Sequence, residues 1–158
     1  MSAPEVTLRP LRWWDLDAVH ALERDLFGAS AWSPESFWGE LAQPNRRLVV
    51  AEVGQRLVGY GVAMVNGADA DVQTIGVAAD MQGGGIGRRL LRALRDAVGA
   101  AGAKRIVLEV RADNVVAQGL YRSEGFEQIA LRRRYYQPGD HDAVIMRARI
   151  LHDAPGGE

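Results

Sequence analysis

The chain contains no cysteine among its 158 residues. This absence excludes disulfide bonds, a catalytic thiol and metal sites built on cysteine ligands. It is compatible with a reducing compartment, and we expect a cytoplasmic protein. Lysine is also scarce, since Lys104 is the only one, so nearly all basic side chains are arginines.

The sequence also lacks a long apolar segment and a large net charge. No apolar run approaches the length that crosses a bilayer, and residues 1–5 do not resemble the start of a signal peptide. The formal net charge of −1 gives no overall field that would attract nucleic acid or an anionic membrane. We therefore expect neither membrane association nor direct nucleic-acid binding.

The composition that remains is ordinary for a globular protein, 47% hydrophobic and 25% charged. A chain of this length is expected to form one domain that buries roughly 70% of the surface of the unfolded chain. We assign this domain to residues 1–151 and expect residues 152–158 to form a disordered tail.

Apolar periodicity and turn residues predict the element order β-α-α-β-β-β-α-β-α-β-β. The predicted strands cover residues 6–10, 47–53, 57–65, 71–77, 106–110, 126–136 and 142–150. The predicted helices cover residues 14–27, 34–41, 86–101 and 114–123. Because the third helix crosses between two strands, we expect those two to be parallel and the remaining neighbours to be hairpins. The prediction is a mixed α/β sheet with helices on its faces.

A glycine-rich turn, Gln82-Gly83-Gly84-Gly85-Ile86-Gly87, precedes the third predicted helix. Backbone N–H groups at a helix start and the helix dipole favour an anion, and glycines let a ligand approach the backbone. Arg88 and Arg89 follow in the first turn, where the dipole disfavours cations. An anionic ligand would offset that repulsion, so the segment favours phosphate binding, with a plain tight connection as the alternative.

Three kinds of phosphate loop could explain these glycines. A Walker loop requires Lys followed by Ser or Thr, and Arg88 and Arg89 stand there instead. A dinucleotide-binding loop requires a third glycine, where this chain has Leu90, and an acid at the end of the next strand, whereas Glu109 lies inside it. The third pattern, Q/R-x-x-G-x-G/A, is met by residues 82–87 and resembles the acetyl-CoA pyrophosphate loop of GNAT-superfamily N-acetyltransferases.

A second group of chemically active residues lies between 108 and 121. Glu109 interrupts an apolar strand, where an unpaired carboxylate is costly or takes up a proton, and this suits a general base. The alternative is that Glu109 faces solvent or pairs with Arg111 on the same strand face. Taken alone, Asn114 is more typical of a helix cap and Tyr121 of a packed side chain.

Together these segments resemble the RimI-type N-terminal acetyltransferases of the GNAT superfamily. Residues 108–126 match the pattern LEVRxxNxxAxxLYxxxGF of that family. Trp32-Ser33 with Phe37 is similar to its early W-S-x-x-x-F segment, and residues 132–136 to its R-R-x-Y-Y strand. The similarity runs from about residue 13 to 150 and implies the GNAT fold, an α/β (α+β) structure. That fold has a mixed central sheet of about seven strands, flanked by about four helices.

The resemblance implies transfer of an acetyl group from acetyl-CoA to a protein's N-terminal amine, typically the alanine of a small-subunit ribosomal protein. It implies Glu109 as the base, directly or through a water, and Tyr121 as the acid that protonates the departing thiolate. It implies no metal. The implied acetyl-CoA contacts are Ile75, Gly76, Val77, Gly83, Gly84, Gly85, Ile86, Gly87, Arg88 and Asn114. The implied contacts to the acceptor peptide are Trp32, Tyr135 and Tyr136.

Two positions depart from the family pattern. Gly83 stands where many relatives carry arginine, and this difference predicts weaker binding of acetyl-CoA. Ala31 replaces a proline that is common before the tryptophan, and this difference leaves the selectivity of the acceptor loop open. Two other interpretations stay open, the same fold acting on lysine or a small-molecule amine, and a non-catalytic acyl-CoA-binding module. Glu109 and Tyr121 argue against the second, because a pure binder needs neither.

Overall fold

The structure is a computed structural model that describes residues 5–136 and 141–150, apart from the side chains of residues 134–136 and 141. The expected turn at residues 138–140 and the expected tail at residues 152–158 lie outside this description. Its strands are β1 (Val6–Pro10), β2 (Arg46–Val53), β3 (Arg56–Asn66), β4 (Asp69–Val77), β5 (Arg105–Arg111), β6 (Glu127–Tyr136) and β7 (His141–Arg149). Its α-helices are α1 (Leu16–Phe27), α2 (Pro34–Ala42), α3 (Ile86–Ala100) and α4 (Val115–Ser123). The predicted order of helices and strands is confirmed.

The seven strands form one sheet in the order β1-β2-β3-β4-β5-β7-β6. The pair β4 and β5 is parallel, as the crossover through α3 predicts. The expectation that all other neighbours are hairpins is wrong for two pairs of strands. The strands β1 and β2 are paired, but α1 and α2 lie between them in the chain. The strand β5 pairs with β7 instead of β6. Burial explains the second case. Met146 and Ala148 of β7 are buried, whereas Ile129 and Leu131 of β6 are 47% and 42% exposed, so β6 takes the edge.

The sheet opens into a fork between β4 and β5. These strands pair only from Asp69 and Arg105 to Asp71 and Val107, so the second half of β4 has no strand on that side among the described residues. On its other side β4 pairs with β3, and the register shifts so that Gln73 is an extra residue in β4. Such a bulge bends the strand and increases its twist. The fork is therefore built into the sheet itself.

Helices cover both faces of the first half of the sheet. Val50 and Ala51 are neighbours in β2 and therefore face opposite sides. Val50 packs in a cluster with Val19 of α1 and Phe37 of α2, and Ala51 packs in a cluster with Leu90 of α3. A larger cluster lies between α3, α4 and the strands β5 and β7; among its members are Leu91, Leu94, Val98, Ile106, Tyr121, Phe126 and Met146. The apolar stripe predicted for α3 is thus buried.

Glycines in β3 let α3 approach the sheet closely. A Cβ atom at Gly59 would lie 2.9 Å from Leu90, and one at Gly61 would lie 2.8 Å from Leu94. This close packing fixes the first turn of α3 beside the end of β4, where the glycine-rich turn begins. Within the described part of the chain, no helix has the length and apolar composition needed to cross a membrane.

Candidate active site

Two cavities meet at the fork between β4 and β5. The first, of about 360 Å³, extends toward the loop after α1, and Glu23, Trp32 and Glu109 help to line it; we call it the α1 cavity. The second, of about 540 Å³, extends toward the start of α3 and the glycine-rich turn; we call it the α3 cavity. The cavities share five lining residues: Leu26, Phe27, Ile75, Asn114 and Tyr121. They therefore form one channel through the fork.

The glycine-rich turn presents unpaired backbone donors at the start of α3. Gly85 is the N-cap residue, with a φ of 90°, and no side chain caps the helix. Within the described part of the chain, the N–H groups of Gly85, Ile86, Gly87 and Arg88 have no hydrogen-bond partner. Gln82 fixes the turn, because its Nε2 donates to the Val77 carbonyl at 3.0 Å. Donors in this arrangement, together with the helix dipole, bind phosphate groups.

The two arginines after the turn have protein partners. The Arg88 guanidinium donates to the Ser123 hydroxyl at 2.9 Å and to the Glu124 carboxylate. Arg89 donates to the Val6 carbonyl at 2.8 Å. The repulsion that the helix dipole exerts on Arg88 is thus offset by Glu124 at the end of α4. These partners account for the arginine pair without an anion, so the backbone N–H groups are the feature of this turn that favours phosphate.

The second half of β4 forms one wall of the channel. Ile75, Gly76 and Val77 line the α3 cavity, and β5 has already diverged at this point. A Cβ atom at Gly76 would lie 2.8 Å from the Tyr60 hydroxyl and 2.8 Å from Leu26. The glycine is therefore required by close packing behind the strand, and the strand edge stays available to pair with an extended ligand.

Glu109 lies in β5 and borders the α1 cavity. Its Oε1 accepts a hydrogen bond from Arg132 Nη1 at 2.8 Å, so the carboxylate is neither unpaired nor joined to Arg111, which pairs with Asp113. Arg132 belongs to β6 and reaches across β7 to make this contact. The pKa of Asp71 on β4 is raised by burial and by the negative charges of Asp69 and Glu109. The Glu109 carboxylate is thus close enough to Asp71 to disfavour the ionised form of that residue.

Tyr121 and Asn114 border both cavities. Tyr121 is 8% exposed, and its ring packs on Phe126 with the ring centroids 5.9 Å apart. Asn114 is the N-cap of α4, where its side-chain oxygen accepts a hydrogen bond from the Ala117 N–H at 3.1 Å. The helix-cap interpretation of Asn114 is thus confirmed. Because α4 begins where the strands diverge, both side chains lie at the junction of the cavities.

The residues expected to contact an acceptor are described in part. Trp32 lines the α1 cavity and packs on Phe37, with the ring centroids 5.1 Å apart. It is therefore both a core residue and a cavity wall. Tyr135 and Tyr136 are the last two residues of β6, and their side chains lie outside the described part of the structure.

Residues 13–126 match the model of the Acetyltransferase (GNAT) family. The chain belongs to the GNAT family of acetyltransferases. It is therefore an acyltransferase enzyme, and GNAT acetyltransferases use acetyl-CoA as the acetyl donor. Among the described residues, no group of three or more His, Asp or Glu side chains is arranged to hold a metal ion.

Similar proteins cover nearly the whole chain. The N-alpha-acetyltransferase RimI of Mycobacterium tuberculosis is 44% identical over 147 residues, 90% of this chain and 91% of the relative. The [ribosomal protein bS18]-alanine N-acetyltransferase of Salmonella typhimurium is 34% identical over 146 residues, 91% of this chain and 97% of the relative. The crystal structure of the ribosomal-protein-S18-alanine N-acetyltransferase from Escherichia coli superposes with a TM-score of 0.85. It is 29% identical and covers 96% of this chain and 98% of that one. The predicted GNAT fold and the resemblance to RimI-type enzymes are thus confirmed.

One residue of this GNAT site is missed by reasoning from the sequence. Glu23 lines the α1 cavity and is only 2% exposed. Its carboxylate accepts hydrogen bonds from the Trp32 N–H at 2.9 Å, from the Tyr60 hydroxyl, and more weakly from the Thr74 hydroxyl at 3.4 Å. Burial and the hydrogen bond to Glu23 raise the pKa of Tyr60. A signal is present in the sequence, because Glu23 lies four residues after Val19 and so falls on the apolar face of α1.

Proposed function

We propose that this GNAT enzyme acetylates the N-terminal amine of a protein, with the alanine of a small-subunit ribosomal protein as acceptor. The observation that carries the proposal is the continuous channel, which has phosphate-type donors at one end, Glu109 at the other and Tyr121 at the junction. Similarity to enzymes named for N-terminal alanine acetylation supports the choice of acceptor. A ribosomal acceptor is consistent with a cytoplasmic enzyme, and we assign the activity to one domain, residues 1–151.

The α3 cavity fits the acetyl donor. The free N–H groups from Gly85 to Arg88 can donate hydrogen bonds to the oxygens of a pyrophosphate. The unpaired edge of β4 at residues 75–77 offers strand-like pairing to the amide-bearing arm of the coenzyme. Asn114 borders the same path. Gly83 and Gly84 would contribute only backbone contacts, so we expect one phosphate contact fewer than in relatives that carry arginine at position 83.

The α1 cavity is proposed to receive the acceptor amine. An α-amino group has a pKa of about 7.7–8.0, so much of it is protonated at neutral pH. Glu109 removes that proton, directly or through a water, while Arg132 holds its carboxylate in place. Trp32 also lines the cavity, and Tyr135 and Tyr136 are proposed to complete the contacts to the peptide.

The transfer then needs one bond to form and one to break. The neutral nitrogen bonds to the acyl carbon, the carbon–sulfur bond breaks, and the Tyr121 hydroxyl gives its proton to the departing thiolate. The nitrogen then loses its second proton to the Tyr121 phenolate, which restores the hydroxyl, and Glu109 releases the first proton to solvent. A backbone N–H near Val77 is proposed to stabilise the acyl oxygen as it becomes negative. Holding amine and thioester together in the fork supplies much of the acceleration. No residue becomes covalently attached to the acetyl group.

Coenzyme release from acetyl-CoA tests the proposal. We expect release with a peptide that begins with alanine, and none with the same peptide blocked at its amino terminus. Release only with lysine or a small amine would assign the fold to another acceptor. Tight binding of acetyl-CoA without release for any amine would indicate a binding module instead.

A further inference from the structure

Glu23 is an unusual buried charge in this structure. Three polar residues are buried among those described: Asp15, Glu23 and Gln118. Asp15 forms a salt bridge with Arg9 at 2.8 Å, and Gln118 carries no charge. Glu23 forms no salt bridge with any described cation, and its three hydrogen-bond donors are all neutral. A buried carboxylate without a counter-ion is costly, so its presence here calls for a reason.

The hydrogen bonds of Glu23 leave room for another donor. A carboxylate has about four acceptor sites, and the three contacts use no more than three of them. The contacts also hold the carboxylate rigidly. Trp32 ties it to the loop after α1, Tyr60 ties it to β3, and Thr74 ties it to the strand beside the Gln73 bulge. The group is thus held in place before any ligand arrives, which lowers the entropic cost of binding.

Glu23 also lies where the reacting amine is expected. It borders the α1 cavity together with Glu109 and Tyr121, and its neighbours in that wall include the apolar side chains of Leu26 and Phe27. A cation entering this cavity would find Glu23 as a desolvated, preformed partner. The acceptor of the proposed reaction arrives mainly as an ammonium ion.

We propose that the Glu23 carboxylate binds the α-ammonium group of the acceptor peptide and thereby selects a free amino terminus. This inference rests on the proposed function. The ammonium group supplies the counter-ion that Glu23 lacks, and Glu109 then takes the proton whose loss makes the nitrogen nucleophilic. This division of roles explains why two carboxylates line the cavity, one buried and hydrogen-bonded and one partly exposed beside Arg132.

The test compares two peptides that differ only in the amine. One begins with alanine, and the other carries a propionyl group in place of that alanine and so lacks only the nitrogen. Their affinities are measured by calorimetry with coenzyme A present, for the wild type, Glu23→Gln and Thr74→Val. The Thr74 variant is the matched control, since it removes a neutral donor to Glu23 and leaves the charge. The affinity for acetyl-CoA is measured on each variant.

The wild type and Thr74→Val are expected to favour the amine peptide by about tenfold to a hundredfold, the range for a hydrogen bond between charged groups. Glu23→Gln is expected to lose this preference and to keep its affinity for acetyl-CoA. If Glu23→Gln weakens both peptides equally, Glu23 only shapes the loop and the inference is overturned. If the glutamine variant does not fold, Glu23→Leu, which also removes the carboxylate, replaces it, and an undiminished preference in that variant overturns the inference.

The outcome for the proposed function is separate. A wild type that releases coenzyme with the alanine peptide supports the proposed function, whatever Glu23→Gln does. A wild type that releases none with any N-terminal peptide overturns the proposed function, and the inference about Glu23 falls with it.

Discussion

Arg132 on β6 donates a hydrogen bond to Glu109 on β5, with Nη1 and Oε1 2.8 Å apart, although β7 lies between the two strands. The contact depends on the strand order, which places β5 and β6 two strands apart. It also requires both side chains to stand on the same face of the sheet. It holds the proposed base against the wall of the α1 cavity. The two exposed fractions, 31% for the glutamate and 50% for the arginine, show that the pair remains open to solvent and to a substrate.

Replacement of Glu109 by glutamine should remove activity mainly at low pH. Below the pKa of the acceptor amine, about 8, a base is needed to release its proton, whereas above that pH the amine is already neutral. We expect the loss in kcat/KM to be about a hundredfold near pH 6 and much smaller near pH 9. The measurement is a pH–rate profile of coenzyme release with an alanine peptide. A loss that is equal at every pH would contradict the base assignment.

Replacement of Tyr121 by phenylalanine should lower turnover and leave donor binding intact. The phenylalanine ring keeps the packing against Phe126, and only the hydroxyl that protonates the thiolate is lost. We expect kcat to fall by about a hundredfold or more, with little change in the affinity for acetyl-CoA. Steady-state rates and a calorimetric titration together separate the two effects. Near-normal turnover would remove Tyr121 from the mechanism.

The order of elements and much of the site could be predicted from the sequence, because both depend on local patterns. Apolar periodicity gave α3, and Ser33 before Pro34 gave the start of α2, where the Ser33 side chain accepts a hydrogen bond from the Ser36 N–H. The resemblance to RimI-type enzymes assigned Tyr121 and Asn114, which lie seven residues apart in the chain, to the same site. The structure adds that both border the same junction.

The rest could not be predicted, because it depends on contacts between distant segments. No local pattern inserts β7 between β5 and β6, and so no pattern gives Glu109 its partner Arg132. The pairing of Arg88 with Glu124 likewise joins the start of one helix to the end of another. The position of Glu23 on the apolar face of α1 could be read from the sequence, but its partners could not, because only the folded sheet brings Tyr60 and the loop at residue 32 to its carboxylate.

Replacement of Gly76 by alanine should damage both stability and donor binding. The new Cβ would lie 2.8 Å from the Tyr60 hydroxyl and from Leu26, so β4 or the buried tyrosine must move. We expect a loss of about 1–3 kcal/mol in the free energy of unfolding and weaker binding of acetyl-CoA. Denaturant unfolding and calorimetry measure the two effects.

Gly119→Ala is the matched control for this substitution. Gly119 lies in α4, and an added Cβ would meet nothing within 4 Å. Alanine should there stabilise the helix by about 0.5–1 kcal/mol. A Gly76 variant that behaves like the Gly119 variant would contradict the packing described behind β4.

Replacement of Glu124 by glutamine should loosen the junction of α3 and α4. Hydrogen bonds from Arg92 and then Arg88 hold the pKa of the Glu124 carboxyl below its ordinary value of 4.5. Because the pKa is lower in the folded state than in the unfolded state, this stabilisation is complete above about pH 4.5 and is lost as the pH falls through the folded pKa.

We expect Glu124→Gln to cost about 1–2 kcal/mol near neutral pH, a reduced figure because Arg88 and Arg92 are 37% and 61% exposed. The difference in stability between the variant and the wild type should shrink as the pH is lowered below about 4.5. Thermal melts across this pH range provide the measurement. Asp80→Asn is the control, since it breaks an ion pair with Arg56 in which both partners are exposed, and it should change the melting temperature little. A Glu124 effect that does not depend on pH would contradict the electrostatic explanation.

The most direct test of the central claim is mass spectrometry of an alanine-starting peptide after incubation with the purified protein and acetyl-CoA. The account predicts one added acetyl group, located by fragmentation on the α-nitrogen of the alanine. A peptide that stays unmodified, or that carries its acetyl group only on an internal lysine, would contradict it.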